Sequence, residues 1–285
     1  MAHYYDKKTN VKDSIANKLF RIITTASIFS VMFILCMAMY HIVVGAFCNY
    51  FHLNAEFNFN GFIELESDYQ YWSVKRVTAI FLSGPIMCLI TGIYFLYLFN
   101  SLTGTVNIVR YYLLWGAVAF INFFLVQLIV SPFGALDYKG GLYQGLSVVL
   151  AWWKFKGLML APVAIITAIG LFYFGYFSSN DFYKFSYSSR INVVKRAKNL
   201  FLLEIFFVPI IVSAPFLFLL STRYSFILYL MTYIGYLIIG AGMIMRNEFN
   251  VMPIKASKED VVNKFPILEF LVASALWVFI YMYWS

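Results

Sequence analysis

Seven times along its 285 residues the chain runs apolar for about 20 residues or more, and this limits what it can fold into. A helix needs that many apolar residues to cross the hydrocarbon layer of a bilayer. Within that layer every backbone polar group must be bonded inside the segment. The runs lie at about Leu19–Cys48, Val77–Asn100, Ile108–Ser131, Gly157–Phe177, Leu200–Leu220, Ser225–Met245 and Phe265–Trp284. They predict an all-α polytopic membrane protein of about seven transmembrane helices, with six to eight compatible with the run lengths. Charged residues make up 12% of the chain, half of the roughly 25% usual in a soluble domain.

The segments between the runs refine this. The first 18 residues are polar and basic, and the run behind them is far longer than a signal-peptide core, so it reads as a retained signal anchor. It is also long for one crossing, which predicts a tilt or a protruding end. Between spans one and two, EFNFNGFIELES alternates as a small β-hairpin around Asn60-Gly61 does. After Asp137, LYQGLSVVLAWWKFK reads as a short interfacial helix closing on Trp152, Trp153, Lys154 and Lys156. Only Ser221 to Tyr224 join spans five and six, which therefore form an antiparallel hairpin. Pro209 and Pro215 predict kinks in span five.

With the N-terminus inside, Lys and Arg number 15 in the inner segments and six in the outer ones. This bias predicts a cytosolic N-terminus and an outer C-terminus, and the expected location is a bacterial inner membrane. The net charge of +8 is held in short loops beside spans, so no nucleic-acid partner is expected. The expected partners are the lipid bilayer and another membrane protein or transmembrane segment. Cys36, Cys48 and Cys88 lie in or beside apolar runs without metal-ligand spacing, and are expected to be buried thiols. No cofactor is expected.

Three polar or broken pieces fall at one membrane depth under either orientation. His41 stands in AMYHIVVGAF near the far end of span one, and Ser83-Gly84-Pro85 stand in FLSGPIMCL early in span two. Residues 120–141, FINFFLVQLIVSPFGALDYKGG, break at Ser131-Pro132 and present Asp137 before Gly140-Gly141. A carboxylate at the edge of a span is costly unless paired, hydrated or metal-bound. A Gly-Pro inside a span frees backbone groups and lets helices approach closely. Taken singly, each piece has a plain structural reading: an interhelical hydrogen bond, a helix contact, an interfacial turn. Two further carboxylates, Glu204 and Glu269, lie one turn into spans five and seven. They are expected to form ion pairs at the interface, and ion or proton sites are the alternative.

In order, these pieces resemble the site-2-protease-type intramembrane zinc metalloproteases over residues ~35–150. That family carries HExxH on one span, then a hairpin, a span with Gly-Pro, and a later Pro-broken span closing on Leu-Asp-Gly. The resemblance implies two His at i and i+4 and an Asp on zinc, with the Glu as general base for the bound water. HIVVG stands where HExxH belongs, and Asn122, Pro132, Leu136 and Asp137 fall at matching places. His41 is at the first ligand position. Ile42 replaces the base, Gly45 the second His, Cys88 the Asn after Gly-Pro, and Tyr138 the Gly after Asp.

What the resemblance implies is therefore a degenerate core. Residues 1–18 would be a cytosolic segment, 19–156 a three-span protease-like core, and 157–285 a four-span bundle. The vestigial site would comprise His41, Gly45, Gly84, Pro85, Asn122, Pro132 and Asp137. It would have no catalytic residue, and only His41 and Asp137 as metal candidates. The charge bias puts this layer outside, whereas the family's site lies nearer the cytosol. The expected function is non-catalytic: binding a membrane segment or scaffolding a membrane complex. The alternatives are a transporter or channel component using the intramembrane carboxylates, and an active protease with unusual ligands.

Overall fold

The computed structural model describes residues 15–53, 55–58, 61–65, 72–102, 108–136, 145–155, 161–186, 195–220, 226–249 and 266–283. Helix α1, Ile15–Tyr50, takes up the whole first run and more. Its 36 residues span about 54 Å, well over the ~30 Å hydrocarbon layer, so its ends project past the layer or the helix tilts. Helix α2 (Val74–Ser101) starts at Ser73, whose hydroxyl accepts the Arg76 N–H at 3.3 Å as an N-cap. Helix α3 covers Ile108–Gly134. A short helix α4, Leu146–Trp152, lies against α2 and α3, and the Trp153 indole N–H donates to Thr78 Oγ1 at 2.9 Å. Between α1 and α2, strands β1 (Ala55–Asn58) and β2 (Gly61–Leu65) pair antiparallel, with Phe57 opposite Phe62.

Helix α5, Ala161–Tyr183, ends six residues beyond the fourth apolar run. The polar stretch after Phe177 stays helical because Ser178 and Ser179 hydroxyls bond back to the Gly175 and Tyr176 carbonyls, at 3.3 and 3.0 Å. Next comes one continuous stretch made of α6 (Lys195–Leu202), a π-helical turn (Leu203–Phe207) and α7 (Val208–Phe218). In the wide turn the Val208 N–H reaches back to the Leu203 carbonyl. It sits immediately before Pro209, where a regular turn would drive the ring against the Ile205 carbonyl. Helices α8 (Phe226–Phe249) and α9 (Ile267–Tyr283) complete the chain.

Among the described residues six helical stretches are long and apolar enough to cross a membrane: α1, α2, α3, α5, Lys195–Phe218 and α8. Helix α9 is apolar but shorter, its 17 residues reaching about 25 Å. The protein is an all-α polytopic, integral multi-pass membrane protein. Helices α1 and α3 are the most buried and form its centre. They meet α8 through aromatic edges: Phe29 lies 5.3 Å from Trp115 and 5.1 Å from Tyr236, and Phe33 lies 5.2 Å from Tyr229. Outward faces are apolar, with Ile86, Ile90, Ile93 and Tyr97 of α2 exposed, a surface that suits lipid.

Neighbouring helices alternate in direction, which gives the bundle two ends. At the first end, Thr25 of α1 bonds the Tyr111 hydroxyl of α3 at 2.9 Å, and Arg21 bonds Glu204. Helices α5 and α8 finish at this end, where Tyr183 OH donates to Asn247 Oδ1 at 2.7 Å. Helices α1 and α3 finish at the second end, beside the start of α2 and α4.

Candidate functional site

The second end carries most of the expected motif layer. On α1 the buried residues Tyr40, His41, Val44, Gly45 and Cys48 recur at helical spacing and form one inward stripe. The turn of the helix puts Ile42 on the other side, 54% exposed. The position that the resemblance gives to a general base thus faces outward, away from His41's buried surroundings.

Gly84 of α2 is where the two helices touch. A Cβ there would lie 2.6 Å from Tyr40 Cδ2 and 2.7 Å from Val44 Cγ2. Gly84 and Pro85 are both buried. The structure therefore brings Tyr40 and Val44, the chain neighbours of His41 and Gly45, against Gly84 in one closely packed α1–α2 contact. From α3, Phe123 completes it, its ring 5.2 Å from Tyr40.

Asn122 does not join this contact. Its Nδ2 donates to the Thr232 carbonyl of α8 at 2.9 Å, and its Oδ1 lies against Gly235, where a Cβ would come within 2.2 Å. It is a buried link between α3 and α8. Pro132 is buried within α3, and the helix runs on to Gly134 rather than breaking at Ser131-Pro132. Pro132 has no N–H for the Leu128 carbonyl. The Ser131 hydroxyl, 3.1 Å away, bonds that carbonyl instead, so the turn holds. Asp137, Tyr138, Gly140 and Gly141 lie outside the described residues. Among the described residues no group of three or more His, Cys, Asp or Glu is placed to hold a metal ion. Cys36, Cys48 and Cys88 are buried thiols.

Two polar features of this end were not singled out from the sequence. Gln127 of α3 is 3% exposed, and its Nε2 has no hydrogen-bond partner. Beside it Gly145, which precedes α4, has φ +53° and ψ −123°. A Cβ on Gly145 would meet Gln127 Oε1 at 2.6 Å and Tyr40 OH at 2.9 Å. Gly145→Ala is expected to cost about 2 kcal/mol, from left-handed backbone strain plus the two short contacts. Thermal unfolding in detergent measures this. Gly170→Ala is the control, since nothing lies within 4 Å of a Cβ there. The signal in the sequence was slight: a glutamine inside an apolar run.

The carboxylates lie at the first end. Glu204 stands in the π-helical turn, and its Oε2 accepts from Arg21 Nη2 at 2.7 Å and Nε at 3.1 Å. Lys18 Nζ is 3.7 Å from Oε1. Arg21 is 1% exposed, so the guanidinium is desolvated and held by this carboxylate. Glu269, in the first turn of α9, is partly exposed and lies near Tyr112 of α3. Glu204 is thus an interhelical ion pair near one end of the bundle. Its partner was legible only as a basic residue close to the start of the first span.

Comparison of the chain with protein-family models, with curated proteins and with solved structures finds no match.

Proposed function

We propose that the protein is a non-catalytic integral membrane protein that binds a membrane segment of another protein or scaffolds a membrane complex. The carrying observation is the α1–α2 contact at Gly84. Beside His41 and Gly45, the positions to which the resemblance gives metal ligands, Tyr40 and Val44 are packed against Gly84, and Ile42 faces out. A hydrolytic site needs a ligand set with an open position for water, and a base within hydrogen-bond reach of it. In this reading the three-span region keeps the protease-like layout as a packing scheme, and Asp137 is a structural hydrogen-bonding group or a relic.

The proposed setting is a bacterial inner membrane with the N-terminus in the cytosol and the C-terminus outside. Support comes from the sorting of cations: the N-terminal segment and the loops after α5 and α8 open from the first end of the bundle and carry most of the Lys and Arg.

The test is metal analysis and cleavage with purified full-length protein. Less than one tenth of an equivalent of zinc per chain is expected, unchanged in His41→Ala, with no cleavage of a transmembrane substrate. One zinc per chain that disappears in His41→Ala, together with cleavage, overturns the proposal. A photo-crosslinking residue at Ile42, compared with one at lipid-facing Ile166, is expected to give a discrete adduct with a membrane protein only from Ile42. Equal, diffuse labelling from both would remove the binding role.

A further inference from the structure

Helix α4 ends on a lysine where glycine is usual. The Phe155 N–H donates to the Leu150 carbonyl at 3.1 Å, and the Lys154 N–H donates to the Ala151 carbonyl at 3.0 Å. This pair of bonds closes a helix only if the residue at position 154 takes up left-handed backbone, and Lys154 has φ +58°. Glycine does so freely, whereas a Cβ there crowds the following carbonyl oxygen. The lysine held in this strained conformation is exposed.

The fold brings a second exposed lysine to the same place. Trp153 Nε1 donates to Thr78 Oγ1 at 2.9 Å, which pins the end of α4 to the start of α2. Lys75 stands three residues before Thr78, on the same side of α2, and is exposed. Side chains lean toward the N-terminus of their helix, so Lys75 leans out of the apolar layer on the side that Trp153 occupies. Arg76 is turned to a different neighbour, its guanidinium carbon 6.0 Å from the centre of the Phe51 ring. Trp153 and Phe155 are each 45% exposed. Aromatic rings at a span end settle at the level of the lipid headgroups, and lysines on long apolar stems reach the phosphates from there. An ammonium group offers a phosphate a point charge and three N–H donors.

We propose that Lys75 and Lys154, gathered around Trp153, hold the phosphate of an anionic phospholipid in the leaflet at the second end of the bundle. The left-handed backbone at Lys154 then serves to aim a cation at the headgroup layer, where glycine would leave none. Both lysines are exposed, so a headgroup reaches them without any helix moving. The inference does not rest on the proposed function above.

The test uses the full-length protein in phosphatidylcholine nanodiscs that contain a trace of phosphatidylglycerol with a diazirine close to its phosphate. After illumination the adducts are mapped by mass spectrometry. Labelling of α4 and the first turn of α2 is expected to exceed that by the matching phosphatidylcholine probe about 30-fold, since each lysine near the surface contributes about fivefold. Lys75→Gln is expected to lower this preference about fivefold, and Lys195→Gln, at the other end of the bundle, to leave it unchanged. Lys154→Gly is expected to lower it about fivefold as well, with a Tm no lower than that of wild type, because glycine suits the backbone there. A lysine that only closed the helix would give the reverse, a lower Tm with labelling unchanged. Millimolar inorganic phosphate is expected not to compete with the lipid probe. Equal labelling by the two probes, a preference that survives in the Lys75→Gln/Lys154→Gly double variant, or its loss to inorganic phosphate overturns the proposal.

Discussion

Gly242→Ala is expected to lower the stability of the protein by about 3 kcal/mol, and Gly175→Ala by a similar amount. Helices α5 and α8 cross at these two glycines. A Cβ at Gly242 would lie 2.0 Å from the Phe172 carbonyl oxygen, and one at Gly175 would lie 2.0 Å from that of Ile239. The obstacles are backbone atoms in the middle of helices, not side-chain ends that could swing aside. Relief requires the helices to move apart. In lipid there is no hydrophobic force to hold them at the wider spacing, because the acyl chains are as apolar as the side chains. Association rests on close packing and interhelical hydrogen bonds. Separation would also strain the bonds from Arg246 to Tyr176 and Phe177 and from Tyr183 to Asn247. One displacement relieves both clashes, so the double variant is expected to cost clearly less than the two single costs combined. Thermal or detergent unfolding measures this, with each single variant lowering Tm by about 6–12 °C. A Tm within about 2 °C of wild type in Gly242→Ala would mean that the helices do not approach this closely.

That crossing was not legible in the sequence, and the reason is general. Span number and limits follow from a length requirement that each segment meets alone, so α1, α2, α3 and α8 lie close to the apolar runs. Depth follows as well, because rise per residue is fixed. Counting from span ends placed His41, Gly45, Gly84 and Pro85 in one layer, and in the structure Tyr40 and Val44, the neighbours of His41 and Gly45, pack against Gly84. Which way a residue points around its helix depends on the neighbouring helices, and an all-apolar span leaves that undetermined. Asn122 has the expected depth yet turns to α8, not to α1. The errors at span ends have a different cause. Ser131 and Ser178–Ser179 read as loop-formers, but their hydroxyls bond the carbonyls of their own helices, so α3 passes Pro132 and α5 reaches Tyr183. The pairing of Arg21 with Glu204 joins positions 183 residues apart. Each charge was visible, and the partnership was not.

Glu204→Gln is expected to cost about 3 kcal/mol, because it removes the charge of the carboxylate oxygen that accepts two hydrogen bonds from a guanidinium that is 1% exposed. Arg21→Met is expected to cost less. The carboxylate left behind is 17% exposed, and Lys18, itself 48% exposed, lies 3.7 Å from it. Removing both charges in Arg21→Met/Glu204→Gln is expected to return the stability to within about 1 kcal/mol of wild type, since a buried pair recovers little beyond its desolvation cost. The cycle of four proteins then gives a coupling of at least about 2 kcal/mol between α1 and the π-helical turn. The same variants separate the structural role from transport. A carboxylate that carries protons or ions must give up its partner during each cycle, and its loss then stops flux whether or not Arg21 is present. A carboxylate committed to Arg21 affects only folding. Proteoliposomes with a pH-sensitive dye inside are therefore expected to show the same proton permeability for wild type and the double variant. A flux present in wild type and absent from the double variant would make Glu204 a transport residue and the bundle a transporter. The geometry favours the committed pair. Both Arg21 contacts go to one carboxylate oxygen, and Lys18 is near the other.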